Sequence, residues 1–530
     1  MPSRSSHSAP LTTHHAPHGM VCSVDHLASS AGVAILRAGG SAADAAVATS
    51  AVLAVTTPHM CGMGGDLFAL VHDGRVAALD ASGRAGQGAD PDRLWAEGAT
   101  RMPFELDVRS VPVPGCVDGW LALHERFGRL ELGEVLAPAI GYAGDGFPAG
   151  AMLAAMVPLV ADRPGAEDLW AGGRVRPGTT VRRPGVARAL AAVVAQGRAG
   201  FYGGEFGQGL VELGAGEYTE ADLDRPLADW VEPLGRRVWG ADVWTVPPAS
   251  QGYLSLAGAL IAEGLDLPDR DQDPAWAHLL AESARQAGHD RPARLHQGAD
   301  PARLLDPAEL DRRRRRIRAD AVSPLPSPGS AGGTIHLAVV DRDRLAVSLI
   351  QSNASGFGSR LFEPRTGIGL HNRGIGFAVA PGHPARYGPG RRPPHTLAPA
   401  LITRPDGTVQ AVLGSMGGDA QPQIVLQLLA RFLALGRSPA RTVHAPRFVL
   451  ARHADGPGFD TWDQPEVLGI DIEADAAGWW QAGLEARGHH VRVVEPANHG
   501  MGHAHLIAVE DEGLAGASDW RAGSGAAFGY

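Results

Sequence analysis

The sequence predicts an α/β protein in which helices cover a β-sheet. Between about residues 115 and 287 the apolar pattern is mostly helical, as in 120–127. Beyond residue 334 it changes to short apolar runs separated by turn residues, beginning with 335–340 and 345–351. The chain therefore joins a mainly helical half to a half that supplies strands.

Elements near the N-terminus follow from alanine-rich and glycine-rich segments. Residues 28–55 are rich in alanine, which favours a helix, and Gly39-Gly40-Ser41 predicts a break followed by a new N-cap. Segments 67–72 and 75–79 lie on either side of Asp73-Gly74, a pattern typical of a β-hairpin. The same periodicities predict later helices at 186–195, 254–263 and 422–435, and later strands at 397–403 and 409–413.

Two segments lack the pattern of a regular element. Residues 1–19 are rich in Ser, Pro and His, and we predict a disordered tail. Residues 312–333 combine the arginine run 312–316 with the proline-rich stretch 321–331, and we predict a mobile segment. We interpret the arginines as the solvated end of a helix rather than as a nucleic-acid patch.

Composition excludes several classes of function. All 47 basic residues are arginine, so enzymes that need a lysine for a Schiff base, a Ser/Lys pair or a phosphate loop are excluded. The glycine-rich segment 414–418 is therefore not a nucleotide-binding loop. The net charge of -10 argues against a nucleic-acid partner or an acidic membrane. Three cysteines are too few for a disulfide scaffold, and the N-terminus lacks the apolar core of a secretory signal, so we expect a cytoplasmic protein that does not span a membrane.

Histidines cluster in two places without the spacing of a metal site. His7, His14, His15 and His18 lie in the predicted tail. A second group, 489–505, has no accompanying carboxylate or cysteine pattern, so we predict no metal and no cofactor.

The strongest chemical signal is Gly333 followed by Thr334 at the start of a predicted strand. Cleavage between them would create an N-terminal threonine whose own α-amino group can act as the base for its hydroxyl. An α-amino group titrates near ~7.7 to 8.0, so part of it is unprotonated at neutral pH. Gly333 would leave the attacked carbonyl unhindered. The sequence thus predicts a self-cleaving enzyme with Thr334 as nucleophile.

Two later features fit the same chemistry. Asn353 ends the second predicted strand, where its amide would orient the Thr334 amine or a substrate carbonyl; an equally good interpretation is a turn cap beside Gly356 and Gly358. Gly417-Gly418 precedes a predicted helix, so their N–H groups are candidates for an oxyanion hole. On its own this signal is weak, because glycine pairs more often serve plain turns.

Taken in order, these residues resemble the γ-glutamyltransferase (glutathione hydrolase) family of N-terminal-nucleophile hydrolases, and the likeness extends from Gly19 to Tyr530. The motifs that carry it are 39–48, the glycine turn 62–65, Val113-Pro114-Gly115 with Gly119, Pro247-Pro248 with Ser250 and Gly252, Thr334 with His336 and Val339-Val340-Asp341, Asn353, Thr396, and Gly417-Gly418.

The sequence departs from the family pattern where members bind a γ-glutamyl group. Ser82 stands near the place of the arginine that holds the α-carboxylate, with Arg84 two residues later, and Gly376 replaces the aspartate that holds the amine. Arg373 stands where a glutamine is common. His395 replaces one serine of the motif that contains Thr396, and Gln351 replaces a threonine thought to support the nucleophile.

These departures resemble a branch of the family with cephalosporin acylase-like and oxamate amidohydrolase-like members. Loss of the acidic group and gain of Arg373 should favour an acyl group that carries negative charge. The resemblance implies a four-layer αββα sandwich, a large subunit 1–333 and a small subunit 334–530 that form a heterodimer, with a dimer of such pairs left open. Thr334, Asn353, Gly417 and Gly418 would be catalytic, and Ser82, Arg84, Gln351, Arg373, His395 and Thr396 would bind the substrate.

We therefore expect an acyl-enzyme reaction on a small amide, without a nucleic-acid or membrane partner. One alternative is a genuine γ-glutamyltransferase and glutathione hydrolase whose amino-acid contacts have moved to other residues. The other is a binding protein that is neither cleaved nor active, because the sequence does not show whether the precursor matures.

Overall fold

The computed structural model describes residues 12–170, 173–323, 325, 335–451, 461–462 and 468–530. The helices are α1 His26–Arg37, α2 Ala42–Thr56, α3 Pro91–Ala96, α4 Cys116–Phe127, α5 Leu132–Asp145, α6 Ala151–Met156, α7 Glu167–Trp170, α8 Pro184–Gln196, α9 Arg198–Tyr202, α10 Glu205–Leu213, α11 Glu220–Asp224, α12 Tyr253–Glu263, α13 Pro274–Gly288, α14 Arg291–Arg294, α15 Pro301–Leu304, α16 Pro307–Arg314, α17 Gln421–Leu429, α18 Pro439–Val443 and α19 Ala474–Glu485.

The strands are β1 His14–Ala16, β2 Met20–Ser23, β3 Asp66–His72, β4 Val76–Ala81, β5 Phe147–Pro148, β6 Thr180–Val181, β7 Asp229–Val231, β8 Leu234–Val238, β9 Ala241–Thr245, β10 Ile335–Val340, β11 Ala346–Ser352, β12 Phe362–Glu363, β13 Ile368–Gly369, β14 Ala400–Thr403, β15 Val409–Ser415, β16 Phe448–Ala451, β17 Gly469–Glu473, β18 Val491–Val494, β19 Ala504–Glu510, β20 Gly513–Ser518 and β21 Ala526–Gly529.

Two large sheets form the centre of the protein. One has the strand order β21-β2-β10-β11-β3-β4-β7, and the other has the order β1-β20-β19-β15-β14-β9-β8. Their shared core contains apolar side chains such as Phe68, Ala338, Ile350 and Leu401. Because side chains alternate along a strand, the opposite faces of the two sheets are left to pack against helices.

Helices cover both outer faces, which makes four layers. The first sheet packs Leu67, Leu337 and Leu349 against α1, α2, α4 and α5. The second sheet packs Leu413 and Leu506 against α12, α13 and α17. This αββα sandwich is the fold class that we predicted from the resemblance.

The local elements follow the sequence signals closely. Ser41 and Asp44 form a capping box at the start of α2, as the break at Gly39-Gly40-Ser41 predicts. Strands β3 and β4 pair as an antiparallel hairpin. Strands β10 and β11 also pair antiparallel, with Ile335 opposite Gln351.

Two predictions for irregular segments need correction. Residues 12–19 are not a disordered tail, because β1 pairs with β20 and buries Ala16 in the core between the sheets. The arginine run is only partly solvated, because Arg313 is 4% exposed. Its guanidinium pairs with Asp290 and Glu309, which keeps it at the buried side of α16.

The chain on either side of the predicted cleavage point is interleaved within both sheets. Strands β10, β11 and β21 lie beside β2, β3 and β4, while β8 and β9 extend the sheet that contains β14 and β15. The two predicted subunits would therefore share both sheets, so their association would not depend on the peptide bond between them. Among the described helices, none has the length and hydropathy that a bilayer-spanning segment requires.

A buried ion cluster holds the loop that precedes β19. Asp519 accepts from Arg447, from Arg521 and from the backbone N–H of Ala504. Arg447 also donates to the carbonyl oxygens of Met501 and Gly502. Charges buried this deeply are tolerated only when they are paired, so the cluster fixes the 501–504 segment in one position.

Candidate active site

The predicted catalytic segments lie at the ends of strands, at one edge of the sandwich. Ile335 begins β10 and lies opposite Gln351, so Asn353 follows two residues beyond this pair. On the facing sheet, a Cβ at Gly414 would lie 2.6 Å from Cδ2 of His336, which brings the end of β15 against the start of β10. Gly333 and Thr334 lie outside the described residues, so the predicted cleavage site itself is not described.

Asp66, the first residue of β3, is the centre of a buried polar network at this edge. Its Oδ2 accepts from Nε of Arg373 at 2.7 Å, and Nδ1 of His371 lies 3.2 Å from it. Nε2 of His395 lies 3.1 Å from the same oxygen. All four side chains are buried. The network therefore connects β3 with the segments 371–373 and 395–396.

Electrostatics keeps Asp66 ionised and His395 neutral. Burial alone would raise the pKa of Asp66, but Arg373 and His395 outweigh it and hold the pKa well below its usual range. Burial, assisted by the Arg373 charge, lowers the pKa of His395 to about 4 although Asp66 opposes the shift. His395 is therefore an uncharged neighbour of the Asp66–Arg373 ion pair at neutral pH.

The position of Arg373 revises the role that we expected from the sequence. Besides Asp66, its guanidinium donates to Oγ1 of Thr396 at 2.9 Å and to Oγ of Ser352 at 3.1 Å. Its charge is thus offset by Asp66, and its donors are occupied by three side chains. Arg373 therefore holds Thr396 in position, and its predicted contact with the substrate stays a prediction.

Gln351 also has a different environment from the one that we expected. Because residues alternate along β11, its side chain lies on the helix-covered face of the sheet, together with Leu349. Its amide nitrogen donates to the carbonyl of Ser50 at 3.0 Å and to Sγ of Cys61 at 2.9 Å. It packs the sheet against α2 and does not face the second sheet.

Asn353 lies against the glycine turn 62–65. Its Nδ2 donates to the carbonyl of Pro58 at 3.0 Å, and its backbone N–H donates to Met60. Its Oδ1 is buried and has no hydrogen-bond partner among the described residues. A Cβ at Gly65 would lie 3.0 Å from this oxygen, so glycine leaves the room beside it. The unpaired oxygen could accept a hydrogen bond from an amine, as the predicted role of Asn353 would require.

Gly417 and Gly418 form a turn between β15 and α17. Their φ angles are 143° and 59°, which only glycine adopts readily. Neither N–H group has a partner within the described part of the chain. Two adjacent unpaired N–H groups at the start of a helical segment have the properties of an oxyanion hole.

Gln251 is a residue that the sequence analysis missed. Its Nε2 donates to the carbonyl of Thr396 at 3.0 Å and to the carbonyl of Gly418 at 2.9 Å. The side chain is fully buried, and Gln251 lies between Ser250 and Gly252, which were already noted as part of a family motif. One amide group therefore connects the segment of Thr396 with the glycine turn.

Ser82 and Arg84 lie at the end of β4, on the flank of the first sheet beyond Asp66. Arg84 donates to Oδ2 of Asp229 at 2.7 Å. A second guanidinium, Arg392, donates to Oγ of Ser82 at 3.1 Å and to the same Asp229 oxygen at 2.6 Å. Burial and the neighbouring Arg392 charge lower the pKa of Arg84. The sequence analysis missed Arg392, which lies 310 residues from Ser82.

The described residues contain no group of three or more His, Cys, Asp or Glu side chains arranged to hold a metal ion. The histidines of 489–505 separate in the structure: His489 pairs with His278 beside α13, whereas His499 pairs with His503 near β19. The N–H of Met416, the residue after β15, donates to the carbonyl of His503. Because the end of β15 lies against the start of β10, His503 is at the same edge of the sandwich as the start of β10.

A model of the family described as gamma-glutamyltranspeptidase matches residues 28–529. The chain belongs to the gamma-glutamyltranspeptidase family. The resemblance that we identified from the sequence motifs is thus confirmed, and so is the N-terminal-nucleophile hydrolase fold. The family assignment makes the chain a member of a group of amide-cleaving enzymes.

Relatives within the family have different names. The chain is 36% identical to the oxamate amidohydrolase proenzyme of Klebsiella pneumoniae, over 99% of this chain and 100% of the relative. It is 35% identical to the glutathione hydrolase-like YwrD proenzyme of Bacillus subtilis, over 96% of this chain and 98% of the relative. The crystal structure of cephalosporin acylase from Bacillus halodurans superposes with a TM-score of 0.89 at 30% identity, over 100% of this chain and 99% of that structure.

Gln251→Leu should slow catalysis more than it weakens substrate binding. Loss of the amide removes the donor to the Thr396 carbonyl and leaves the Gly418 carbonyl with only the N–H of Gln421. The glycine turn is then released from the Thr396 segment, and a lost oxyanion donor typically costs about 10² in rate. We expect kcat to fall about 10-fold to 100-fold while KM changes by less than about threefold. Gln286→Leu is the matched control, because Gln286 is equally buried and its side-chain amide has no partner among the described residues. Equal effects of both substitutions would contradict the positioning role.

Asp66→Asn should destabilise the fold in a pH-dependent way. The substitution leaves the buried Arg373 charge uncompensated, which typically costs about 3–5 kcal/mol. Because the folded-state pKa of Asp66 is depressed, its contribution is complete above the unfolded value of ~3.9 and is lost as the pH falls further. Urea unfolding from pH 7 to pH 3 measures this difference between wild type and variant. A difference that grows as the pH falls would contradict the assigned charge state.

Proposed function

We propose that the protein is an amidohydrolase or acyltransferase that cleaves itself before Thr334 and then cleaves a small amide through an acyl-enzyme on that threonine. The observation that carries the proposal is the convergence of Asn353 and the Gly417-Gly418 turn on the strand that begins at Ile335. The word proenzyme in the names of both curated relatives supports processing.

The proposed chemistry assigns one role to each group. Thr334 Oγ attacks the amide carbonyl, and its proton passes through the Thr334 amine to the leaving nitrogen as the carbon–nitrogen bond breaks. The N–H groups of Gly417 and Gly418 stabilise the oxyanion. Water or an amine then attacks the acyl ester, and the threonine hydroxyl is restored. Asn353 Oδ1 accepts a hydrogen bond from the Thr334 amine and so orients it.

We infer that the acyl group is small and anionic rather than γ-glutamyl. Arg84 and Arg392 share the carboxylate of Asp229, whose side chain is 49% exposed. A substrate carboxylate could replace Asp229 as their partner, because Asp229 is the exposed member of both ion pairs. The name of the oxamate amidohydrolase relative points to the same class of substrate.

Maturation provides the first test. Purified protein should separate on a denaturing gel into fragments 1–333 and 334–530, and the smaller fragment should begin Thr-Ile-His-Leu. Thr334→Ala should remain as one intact band because it lacks the attacking hydroxyl. Thr408→Ala removes the hydroxyl of an exposed threonine and should be processed normally. Activity in preparations that contain only the intact chain would contradict the mechanism.

Substrate preference provides the second test, with oxamate, a glutaryl amide and glutathione compared by kcat/KM. We expect the two amides with simple anionic acyl groups to be favoured. Arg84→Gln should lower their kcat/KM about 10-fold to 100-fold, because a hydrogen bond to a charged group contributes about 1.5–3 kcal/mol. Arg188→Gln is the control, since this arginine pairs with Glu205 on the exposed surface. Turnover of glutathione alone would instead support the glutathione hydrolase alternative. The name of the YwrD relative is consistent with that alternative.

A further inference from the structure

A cavity of about 620 Å³ lies at the end of β3 that is opposite Asp66. Strand β3 has seven residues from Asp66 to His72, which places His72 about 20 Å from Asp66. The walls of the cavity come from the β3–β4 hairpin, the end of α4, β7 with the turn that follows it, β9, and the end of β14. Its volume is typical of sites that hold a small organic molecule.

The cavity lies where strand β7 stops short of the end of β4. Strand β7 pairs with residues 78–80 of β4, and the chain then crosses to the second sheet through residues 232–233. Val76 and Ala77 therefore pair with β3 on one side and have no described strand on the other. Both residues line the cavity, which occupies the gap between the outer strands of the two sheets.

Two tryptophans line the cavity, and contacts within the protein fix the position of each ring. Nε1 of Trp244 donates to Oγ1 of Thr403 at 2.9 Å. A Cβ at Gly235 would lie 2.5 Å from the Trp244 ring, so glycine leaves room for the indole beside β8. The Trp230 ring packs edge to face with Phe127, with 5.6 Å between the centroids. Both tryptophans are partly exposed, so they offer a preorganised aromatic surface to a planar ligand.

Two arginines give the cavity a positive charge. Arg75 and Arg126 are exposed, and neither forms an ion pair with a carboxylate of the described residues. The guanidinium of Arg126 lies 4.3 Å from the centroid of the Trp230 ring, a cation–π contact that holds it at the cavity. Glu232 also lines the cavity, but it is exposed and pairs with neither arginine. In a chain of net charge -10, two unpaired arginines at one cavity indicate an anionic ligand.

His72 supplies a hydrogen-bond acceptor at the same cavity. Its Nε2 lies 2.9 Å from the carbonyl oxygen of Gly407, which can only accept, so Nε2 carries a proton. Nδ1 of the neutral ring is then an acceptor. It is buried and has no hydrogen-bond partner among the described residues, and His72 is 6% exposed. Because a buried acceptor without a partner is unfavourable, this nitrogen indicates a ligand with an N–H or O–H group.

We propose that this cavity binds a planar aromatic anion whose ring system carries an N–H or O–H group. The ring packs against Trp230 and Trp244, the carboxylate or phosphate pairs with Arg75 and Arg126, and the N–H or O–H donates to Nδ1 of His72. The ligand is not the amide substrate, because the candidate active site lies at the other end of β3. The proposal therefore adds a second binding site, and it holds whether or not the chain cleaves itself.

Isothermal titration calorimetry of the full chain tests the proposal with matched ligands. Indole-3-acetate has the ring, the N–H and a carboxylate, and guanosine monophosphate has the same features with a phosphate. Naphthalene-1-acetate lacks the N–H, and indole-3-acetamide lacks the charge. We expect one indole-3-acetate or one guanosine monophosphate to bind per chain, and the tighter of the two identifies the anion. Naphthalene-1-acetate should bind about three- to tenfold more weakly than indole-3-acetate, and indole-3-acetamide about tenfold or more.

Variants of the lining test each contact separately. Arg75→Gln and Arg126→Gln should each weaken binding of the anion about tenfold, and both residues are exposed, so the fold should be unaffected. His72→Leu should abolish the preference for indole-3-acetate over naphthalene-1-acetate, a readout that a merely structural effect would not change. Thermal unfolding identifies any variant that fails to fold, and Arg126→Gln decides the question if His72→Leu is among them.

Two other arginines provide the controls. Arg129→Gln is matched to Arg126→Gln, because Arg129 is also exposed and lies just beyond α4 but already pairs with Asp343. It should leave binding within about twofold of the wild type. Arg84→Gln reports whether the anion binds at the candidate active site instead, and it should also leave binding unchanged.

Four results would overturn the inference. These are no binding of either aromatic anion, equal affinity for naphthalene-1-acetate and indole-3-acetate, equal losses in Arg126→Gln and Arg129→Gln, and a loss in Arg84→Gln rather than in Arg126→Gln. Failure of the chain to cleave before Thr334 would instead contradict the function proposed above, and it would not change the binding expected at this cavity.

Discussion

The candidate site depends above all on the buried charge pair between Asp66 and Arg373. Neither charge would be tolerated alone in the core between the sheets, so each requires the other. Two further donors of Arg373 hold Ser352, the last residue of β11, and Thr396, which lies in the segment before β14. One ion pair thus sets the distance between the strand that leads to Asn353 and the segment that leads to the glycine turn. The neutral His395 fills the adjacent space without adding a second positive charge.

A second constraint is the alternation of side chains along the central strands. His336 faces the opposite sheet and packs against Gly414, whereas Gln351, opposite Ile335, faces α2. The same alternation separates residues that support the scaffold from residues that line the reactive edge. Gln251 adds a direct link between two segments next to the second sheet, because its amide donates to the carbonyls of Thr396 and Gly418. Buried hydrogen bonds, rather than exposed loops, therefore hold the residues of the candidate site in position.

The sequence supported much of the fold because the relevant signals are local. The capping box at Ser41, the hairpin of β3 and β4 and the pair β10 and β11 each follow from neighbouring residues. The prediction of a disordered tail was wrong for residues 12–19, because β1 pairs with residues 514–516, some 500 residues later in the chain. The prediction of a solvated arginine run was also wrong for Arg313, whose burial depends on Asp290 in another helix-end segment. Contacts between distant parts of the chain leave no periodic signal.

By itself the sequence determined the family, and it led to the predictions for Thr334 and for the glycine pair, because these rest on residue types in fixed order. Only the tertiary structure decided which arginine side chains near the site are already paired with other residues of the protein. It paired Arg373 with Asp66 and brought Arg392 to Ser82 across 310 residues. It also placed His59 and His503 around one cavity, where both ring nitrogens of His59 and Nδ1 of His503 have no hydrogen-bond partner among the described residues. The charge and the hydrogen-bonding groups of a residue can be read from its type. Whether these groups already have partners depends on the residues that folding brings close to them.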